Sequence, residues 1–378
     1  MNIDSGILLP KKVLNEAKAE GMINVTKAYL PEKALYEKYL DQLWESSWLT
    51  NNGPLVQQLE KDLKDYLKVK HLFFCSNGTV AIQIALKALE ISKEVITTPF
   101  SYVATTNSIL WENCKPVFTD INETDFNIDP AKIEAAITKD TEAILATHVY
   151  GNPCDVGTIE AIAKKHSLKV IYDAAHAFGS LLNKKQVLSF GDISTCSFHA
   201  TKLFHTIEGG CIITDNDELA SKIMLYRQFG HIGDDYFSIG INGKNSEFHA
   251  AMGLCILPDM EKIMQRRKDI TSNYMDGLKD CALQYPVAIE NVDYNYAYMP
   301  VVFESEEKML HIKNKLAENN IITRRYFYPS LNKLPFLKGN SCEISESISA
   351  RVLALPLYFD LGPKNVKKIC SLIKEHLS

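Results

Sequence analysis

The sequence predicts an α/β fold: a mainly parallel sheet flanked by helices, followed by a smaller C-terminal α/β unit. Three observations carry that expectation. Between Leu72 and Thr214, short apolar runs of strand length alternate with stretches of helical periodicity, the pattern of a parallel sheet with helical crossovers. Two of these runs end beside a carboxylate or a lysine, and a third opens into a Ser-Asn-Gly-Thr turn, at positions where open α/β sheets bind ligands. The charged helical stretch from Leu254 to about Leu278, carrying Arg266-Arg267-Lys268, then reads as a long exposed connector to a second unit.

Taken in order, Leu55 to Tyr66 is an amphipathic helix. Leu72-Phe73-Phe74-Cys75 is a strand that runs through Ser76-Asn77-Gly78-Thr79 into the helical pattern Val80 to Leu89. A strand, such a turn and a helix N-terminus together aim free amides, hydroxyls and the positive helix end at one anion, although an ordinary capped turn has the same sequence. Glu94 to Thr97 continues as a buried strand with Tyr102 just beyond its end, placed to stack on a planar ligand or simply to fill the core. Helical stretches follow at Ala131 to Ile137 and Ile159 to His166. In the C-terminal part, strand-like Met299 to Phe303 precedes a helix from Glu306 to Asn319, then Ile321 to Tyr328 and a last helix from Lys364 to Leu377.

Two strand ends carry the chemistry. Lys169 to Asp173 is a buried strand ending in a carboxylate, which either serves a ligand or caps the following turn. Ile193 to Phe198 is a strand followed closely by Lys202 and then by Glu208-Gly209-Gly210. A lysine at the end of a buried strand is costly to keep charged, so its pKa is expected to fall, as an amine nucleophile requires. His176, His199 and His205 lie near these two groups; each is a ligand candidate or a core histidine satisfied by backbone.

Composition fits a soluble enzyme rather than a nucleic-acid or membrane protein. The 378 residues are 46% hydrophobic, enough for a large cored domain and a smaller one. The net charge of −5 is spread with both signs interspersed, and no apolar run reaches membrane-spanning length. Nine cysteines are scattered singly with no CxxC pair, which argues against a zinc site or disulfide framework and for a reducing, cytoplasmic compartment.

These segments, in this order and spacing, resemble the DegT/DnrJ/EryC1/StrS family of sugar aminotransferases. The resemblance runs from about Thr26 to the C-terminus and includes Trp48 to Pro54, Lys115 to Ile121, His148 to Pro153, Gly240 to Lys244 and Leu355-Pro356-Leu357. It implies the aspartate-aminotransferase-like fold type I, with an N-terminal arm of uncertain origin at residues 1–25. A large domain binding pyridoxal 5'-phosphate would span 26–255 and a small C-terminal domain 256–378. By the same resemblance Lys202 is the Schiff-base lysine and Asp173 the partner of the ring nitrogen. Tyr102 covers the ring, His176 lies near the ring hydroxyl, and Gly78, Thr79 and Ser197 hold the phosphate. Asn242 reaches the phosphate of a neighbouring subunit, which implies a homodimer with composite sites; Gly243 departs from the bulkier residue many relatives carry. Tyr150, His205, Arg324, Arg325 and Tyr326 are the substrate-side candidates. The implied reaction moves an amino group from L-glutamate to a nucleotide-linked keto-sugar, with C4 of a dTDP-linked 4-keto-6-deoxyglucose the expected acceptor and surface polysaccharide the expected destination. A C3-specific or UDP-sugar aminotransferase, a same-fold dehydratase and a non-catalytic regulatory protein are the alternatives. Lys202, which the dehydratases replace by histidine, argues against the dehydratase.

Overall fold

Residues 21–337 and 339–377 are described by the computed structural model. The strands expected at Leu72, Glu94, Lys169 and Ile193 form as β1 (His71–Cys75), β2 (Glu94–Thr97), β5 (Lys169–Asp173) and β6 (Ile193–Ser197), and they are joined by β3 (Lys115–Phe118), β4 (Thr141–Thr147) and β7 (Gly210–Thr214). They lie in one sheet in the order β1-β7-β6-β5-β4-β2-β3. From β6 to β3 neighbours are parallel, whereas β7 runs antiparallel to both β6 and β1. That reversal has a consequence for the site. Gly210, the first residue of β7, pairs with Cys75 and Ser197, the last residues of β1 and β6. The ends of β1, β5 and β6 and the start of β7 therefore share one edge.

The apolar runs are continuous because the sheet is covered on both faces. Ile144, Val170 and Tyr172 pack into one buried cluster, while Ala143, Leu145 and Ile171 pack into another, the period-two alternation of strand side chains. The first cluster includes one face of α2 (Pro54–Leu67), which follows α1 (Lys33–Ser46) and buries Leu55, Val56, Leu59, Leu63 and Leu67. Burial of each of these leucines contributes about 1.5–3 kcal/mol. The opposite cluster takes α3 (Gly78–Ala88), through Ile82, Ile84, Ala85 and Leu86. Further helices around the sheet are α4 (Val103–Trp111), α5 (Pro130–Ala136), α6 (Val156–His166), α7 (Asp217–Arg227) and α8 (Glu247–Ile256).

The connector differs from expectation in two respects. Pro258 sits in a short 3-10 turn, Leu257–Asp259, that separates α8 from α9 (Met260–Leu278). Nor is α9 simply exposed: Met260 and Ile263 join the core of the large sheet, and Ile270, Tyr274 and Leu278 join a second core. Within the charged run, Arg267 is buried and donates to the carbonyls of Tyr296 and Ala297 at 2.9 and 2.6 Å. Charge spacing concealed this role, because the guanidinium serves backbone rather than water.

The second core gathers β8 (Met299–Val302), α10 (Glu306–Glu318), β9 (Val352–Leu355) and α12 (Pro363–Leu377), while α11 (Glu343–Arg351) packs Ile348 into a separate cluster with Phe100, Tyr150 and Phe327. Strands β8 and β9 pair antiparallel, with Met299 opposite Leu355. Ile23 also belongs to this core and exchanges backbone hydrogen bonds with Asn320 and Ile322; the amide of Leu357 donates to the Val25 carbonyl. Residues 21–25, assigned to an arm by the sequence, are thus laced into the C-terminal unit. The rest of that arm lies outside the described residues.

Candidate active site

The shared sheet edge opens into a cavity of about 260 Å³. Its floor and walls include Gly78, Thr79, Tyr102, Asp173, His176, Ser197 and Lys202, and the C-terminal unit adds Tyr298, Arg324, Tyr326 and Phe327.

The β1–α3 turn forms one end. Asn77 caps α3: its Oδ1 accepts the Val80 amide at 2.9 Å and its carbonyl accepts the Ala81 amide at 3.1 Å. The first two helical amides, of Gly78 and Thr79, have no protein partner among the described residues. Two free amides at a positive helix end suit a phosphate. Gly78 is required here by space, since a Cβ would stand 2.8 Å from Ser197 Cβ. Ser197 is thereby held against the same turn.

Asp173 ends β5 and is 5% exposed. Its Oδ2 accepts from Thr105 Oγ1 at 2.7 Å and its Oδ1 from the Ala175 amide at 3.1 Å, so neighbours orient the carboxylate at the cavity. Nearby, His176 is fully buried, stacks on Phe327 with ring centroids 5.4 Å apart, and has an unpartnered Nδ1. Burial, then the nearby Lys202 cation, holds its pKa well below the usual histidine range. A buried nitrogen with no protein partner is a ready site for a ligand hydroxyl. Tyr102, the residue preceding α4, is half exposed at the cavity.

Lys202 Nζ lies 3.4 Å from the hydroxyl of Tyr298. The depressed pKa expected for this lysine is not found. Burial pushes it down, but the Tyr298 oxygen and the Asp173 carboxylate outweigh burial and leave it above the usual lysine value. Tyr298 was missed because it arrives from the far end of the chain, ahead of β8. The aromatic run Tyr294-Asn295-Tyr296-Ala297-Tyr298 was its signal, and Arg267 grips that run by its carbonyls.

The substrate-side candidates divide. Arg324 and Tyr326 line the cavity, with the guanidinium carbon 4.8 Å from the Tyr326 ring centroid. Arg325 turns away: it pairs with Glu306 at 2.6 Å and donates to the Ala350 carbonyl at 2.9 Å. Tyr150 stands behind the wall, its ring stacked on Phe327 and its hydroxyl donating to the Tyr326 carbonyl. His205 is also outside the lining. Its Nε2 lies 2.7 Å from the Tyr29 carbonyl and its Nδ1 accepts the Ile207 amide, so both ring nitrogens are committed to backbone. Adjacency to Lys202 in sequence suggested a ligand role; the loop turns the ring inward instead.

Asn242 is exposed and lies outside its own chain's cavity. Its segment is tied to the phosphate turn, because the Ser76 amide donates to the Gly243 carbonyl at 2.9 Å. Gly243 is buried, and a Cβ there would come 3.0 Å from Ile84 Cδ1, which accounts for the small residue at this place.

Comparison with known proteins agrees with this arrangement. The model of the DegT/DnrJ/EryC1/StrS aminotransferase family matches residues 32–374. A dTDP-4-amino-4,6-dideoxy-D-glucose transaminase of Shigella dysenteriae is 41% identical over 364 residues, covering 94% of this chain and 99% of the relative. A GDP-perosamine synthase of Vibrio cholerae is 30% identical over 352 residues, covering 90% and 96%. Among solved structures, DesI in the presence of its TDP-sugar product superposes with a TM-score of 0.90 at 29% identity, covering 94% of this chain and 93% of that one. Pyridoxal phosphate is the cofactor of such enzymes, and the free amides at Gly78 and Thr79, the unpartnered His176 nitrogen and the oriented Asp173 carboxylate fit its phosphate, ring hydroxyl and ring nitrogen. With the site and the alignment in agreement over nearly the whole chain, this protein belongs to the DegT/DnrJ/EryC1/StrS aminotransferase family and is a pyridoxal-phosphate-dependent sugar aminotransferase.

Proposed function

We propose that this aminotransferase moves the amino group of L-glutamate to C4 of dTDP-4-dehydro-6-deoxy-D-glucose, giving dTDP-4-amino-4,6-dideoxy-D-glucose for surface polysaccharide such as O-antigen. The observation that carries the reading is the near full-length likeness to the Shigella transaminase, in a chain whose cavity holds Lys202, Asp173 and the phosphate turn together.

The bound cofactor supplies an electron sink for the charge left when the donor's α-carbon loses its proton. The chain does the rest. Lys202 anchors the cofactor through Nζ; once the amino donor has displaced it, Nζ takes the α-proton and redelivers a proton during transfer. A positive ring nitrogen on Asp173 would offset that carboxylate's pull on Lys202, a change in the direction of the neutral amine that the proton transfer needs. The Tyr298 hydroxyl accepts a hydrogen bond from Nζ. Gly78, Thr79 and Ser197 hold the phosphate, Tyr102 covers the ring, and Arg324 offers a planar cation to the sugar nucleotide's pyrophosphate.

A homodimer completes the proposal. Asn242 is exposed and lies outside its own cavity, which supports a role in the site of a second copy. A cytoplasmic setting is proposed too, in keeping with nine cysteines that are all free thiols. To test the reaction, purified enzyme would be given L-glutamate with a panel of keto-sugar nucleotides and the products identified by NMR. Nitrogen at C4 of the dTDP-6-deoxy sugar is the expected result. Nitrogen at C3, or turnover confined to UDP-sugars, would overturn the substrate assignment.

A further inference from the structure

Behind Asp173 the Thr105 hydroxyl that contacts it is the first of a line of three buried hydroxyls. Thr105 Oγ1 donates to Asp173 Oδ2 at 2.7 Å; Ser101 Oγ lies 2.8 Å from Thr105 Oγ1, and Thr147 Oγ1 lies 3.1 Å from Ser101 Oγ. Thr105 is 0% exposed and Ser101 and Thr147 are each 1% exposed. Each hydroxyl has one hydrogen to give, and a carboxylate only accepts. Thr105 must therefore donate to Asp173, which obliges Ser101 to donate to Thr105 and Thr147 to donate to Ser101. All three O–H dipoles point the same way, toward the carboxylate.

The donors come from three elements. Ser101 is in the loop after β2, Thr105 in the first turn of α4, and Thr147 at the end of β4. Away from water such a chain polarises along its length, and a ligand group oriented from behind keeps its direction when a partner binds in front. We infer that Thr105, Ser101 and Thr147 form a positioning relay that fixes the direction in which Asp173 presents its carboxylate to the cofactor's ring nitrogen. The inference rests on the cofactor assignment above.

The relay is tested by loading wild type, Thr105→Val, Thr105→Ser and Ser101→Ala with pyridoxal phosphate labelled with 15N in the ring. The ring-nitrogen chemical shift and the cofactor dissociation constant are measured for each. Thr105→Val keeps the volume and removes the donor; its shift is expected to move toward that of a neutral pyridine, with the cofactor held on the order of tenfold more weakly, the scale of one hydrogen bond to a charged group. Thr105→Ser should restore both readouts, and Ser101→Ala should move them in the same direction by less. Shifts and affinities unchanged in Thr105→Val and Ser101→Ala would overturn the relay and leave the hydroxyls as packing. Should Thr105→Val not fold, Ser101→Ala decides alone, and an unchanged shift there overturns the proposal. A wild type that takes up no cofactor would instead overturn the functional reading beneath it.

Discussion

His148 shows how a residue near the site can couple stability to pH without touching the cavity. Its ring is fully buried, stacks on Tyr172 at 4.5 Å and accepts the Cys154 amide through Nδ1. That acceptor role requires the neutral ring, and burial holds the pKa down to about 3. With the folded pKa below the unfolded one, the unfolded chain binds the extra proton first. Stability is present in full above the unfolded value near 6.5 and is lost as pH falls toward the folded value. Between pH 7 and pH 5 this one residue should cost about 2 kcal/mol. Urea midpoints at the two pH values check this: His148→Gln is expected to lower stability at pH 7 but to flatten the pH dependence. Equal slopes in both proteins would contradict the assignment. At this scale the sequence was informative wherever a residue's position followed from a strand end, as for Asp173 and Lys202, which both line the cavity. It was uninformative where partners come from distant segments: Tyr298 reaches Lys202 across 96 positions, and Arg267 and His205 are committed to carbonyls that no local pattern reveals.

Among the elements, α2 and α8 illustrate a joint built on one carboxylate. Glu247 is 0% exposed at the start of α8, and its two oxygens accept the amides of Leu55 and Val56 at 2.7 and 3.0 Å. It does for α2 what a local capping side chain does elsewhere, since Gly53 offers none. Glu247→Ala should leave two buried amides without partners and cost about 1–3 kcal/mol for each lost pairing, read as a lower denaturation midpoint. A midpoint within 0.5 kcal/mol of wild type, on the order of an ordinary surface substitution, would show that the joint carries no weight. The helix itself was legible from its leucine spacing. Its cap was not, because the partner lies about 190 positions away. A local limit explains α11 and β9, which the sequence reading passed over. Ser345 and Ser349 are buried helix residues, so hydroxyls interrupt the apolar period of α11, and β9 is only four residues long.

For the whole molecule, the fold class and the sheet edge that carries the site were legible because alternating strand and helix signals admit few topologies. How the two units meet was less so. Residues 21–25 join the C-terminal core, and α9 joins both cores. Assembly is tested by complementation: a Lys202→Ala chain mixed with an Asn242→Ala chain should give heterodimers with one unimpaired site. Activity above either parent is expected; no gain after verified subunit exchange would mean that Asn242 does not serve a partner's site. The account's central claim is that Lys202 carries the cofactor in the cavity it shares with Asp173 and the Gly78–Thr79 turn. Borohydride reduction of the pyridoxal-phosphate-loaded protein, followed by peptide mapping, tests this most directly. One pyridoxyl group per chain on Lys202, absent in Lys202→Ala, is the expected result; a label on another lysine, or none, would contradict it.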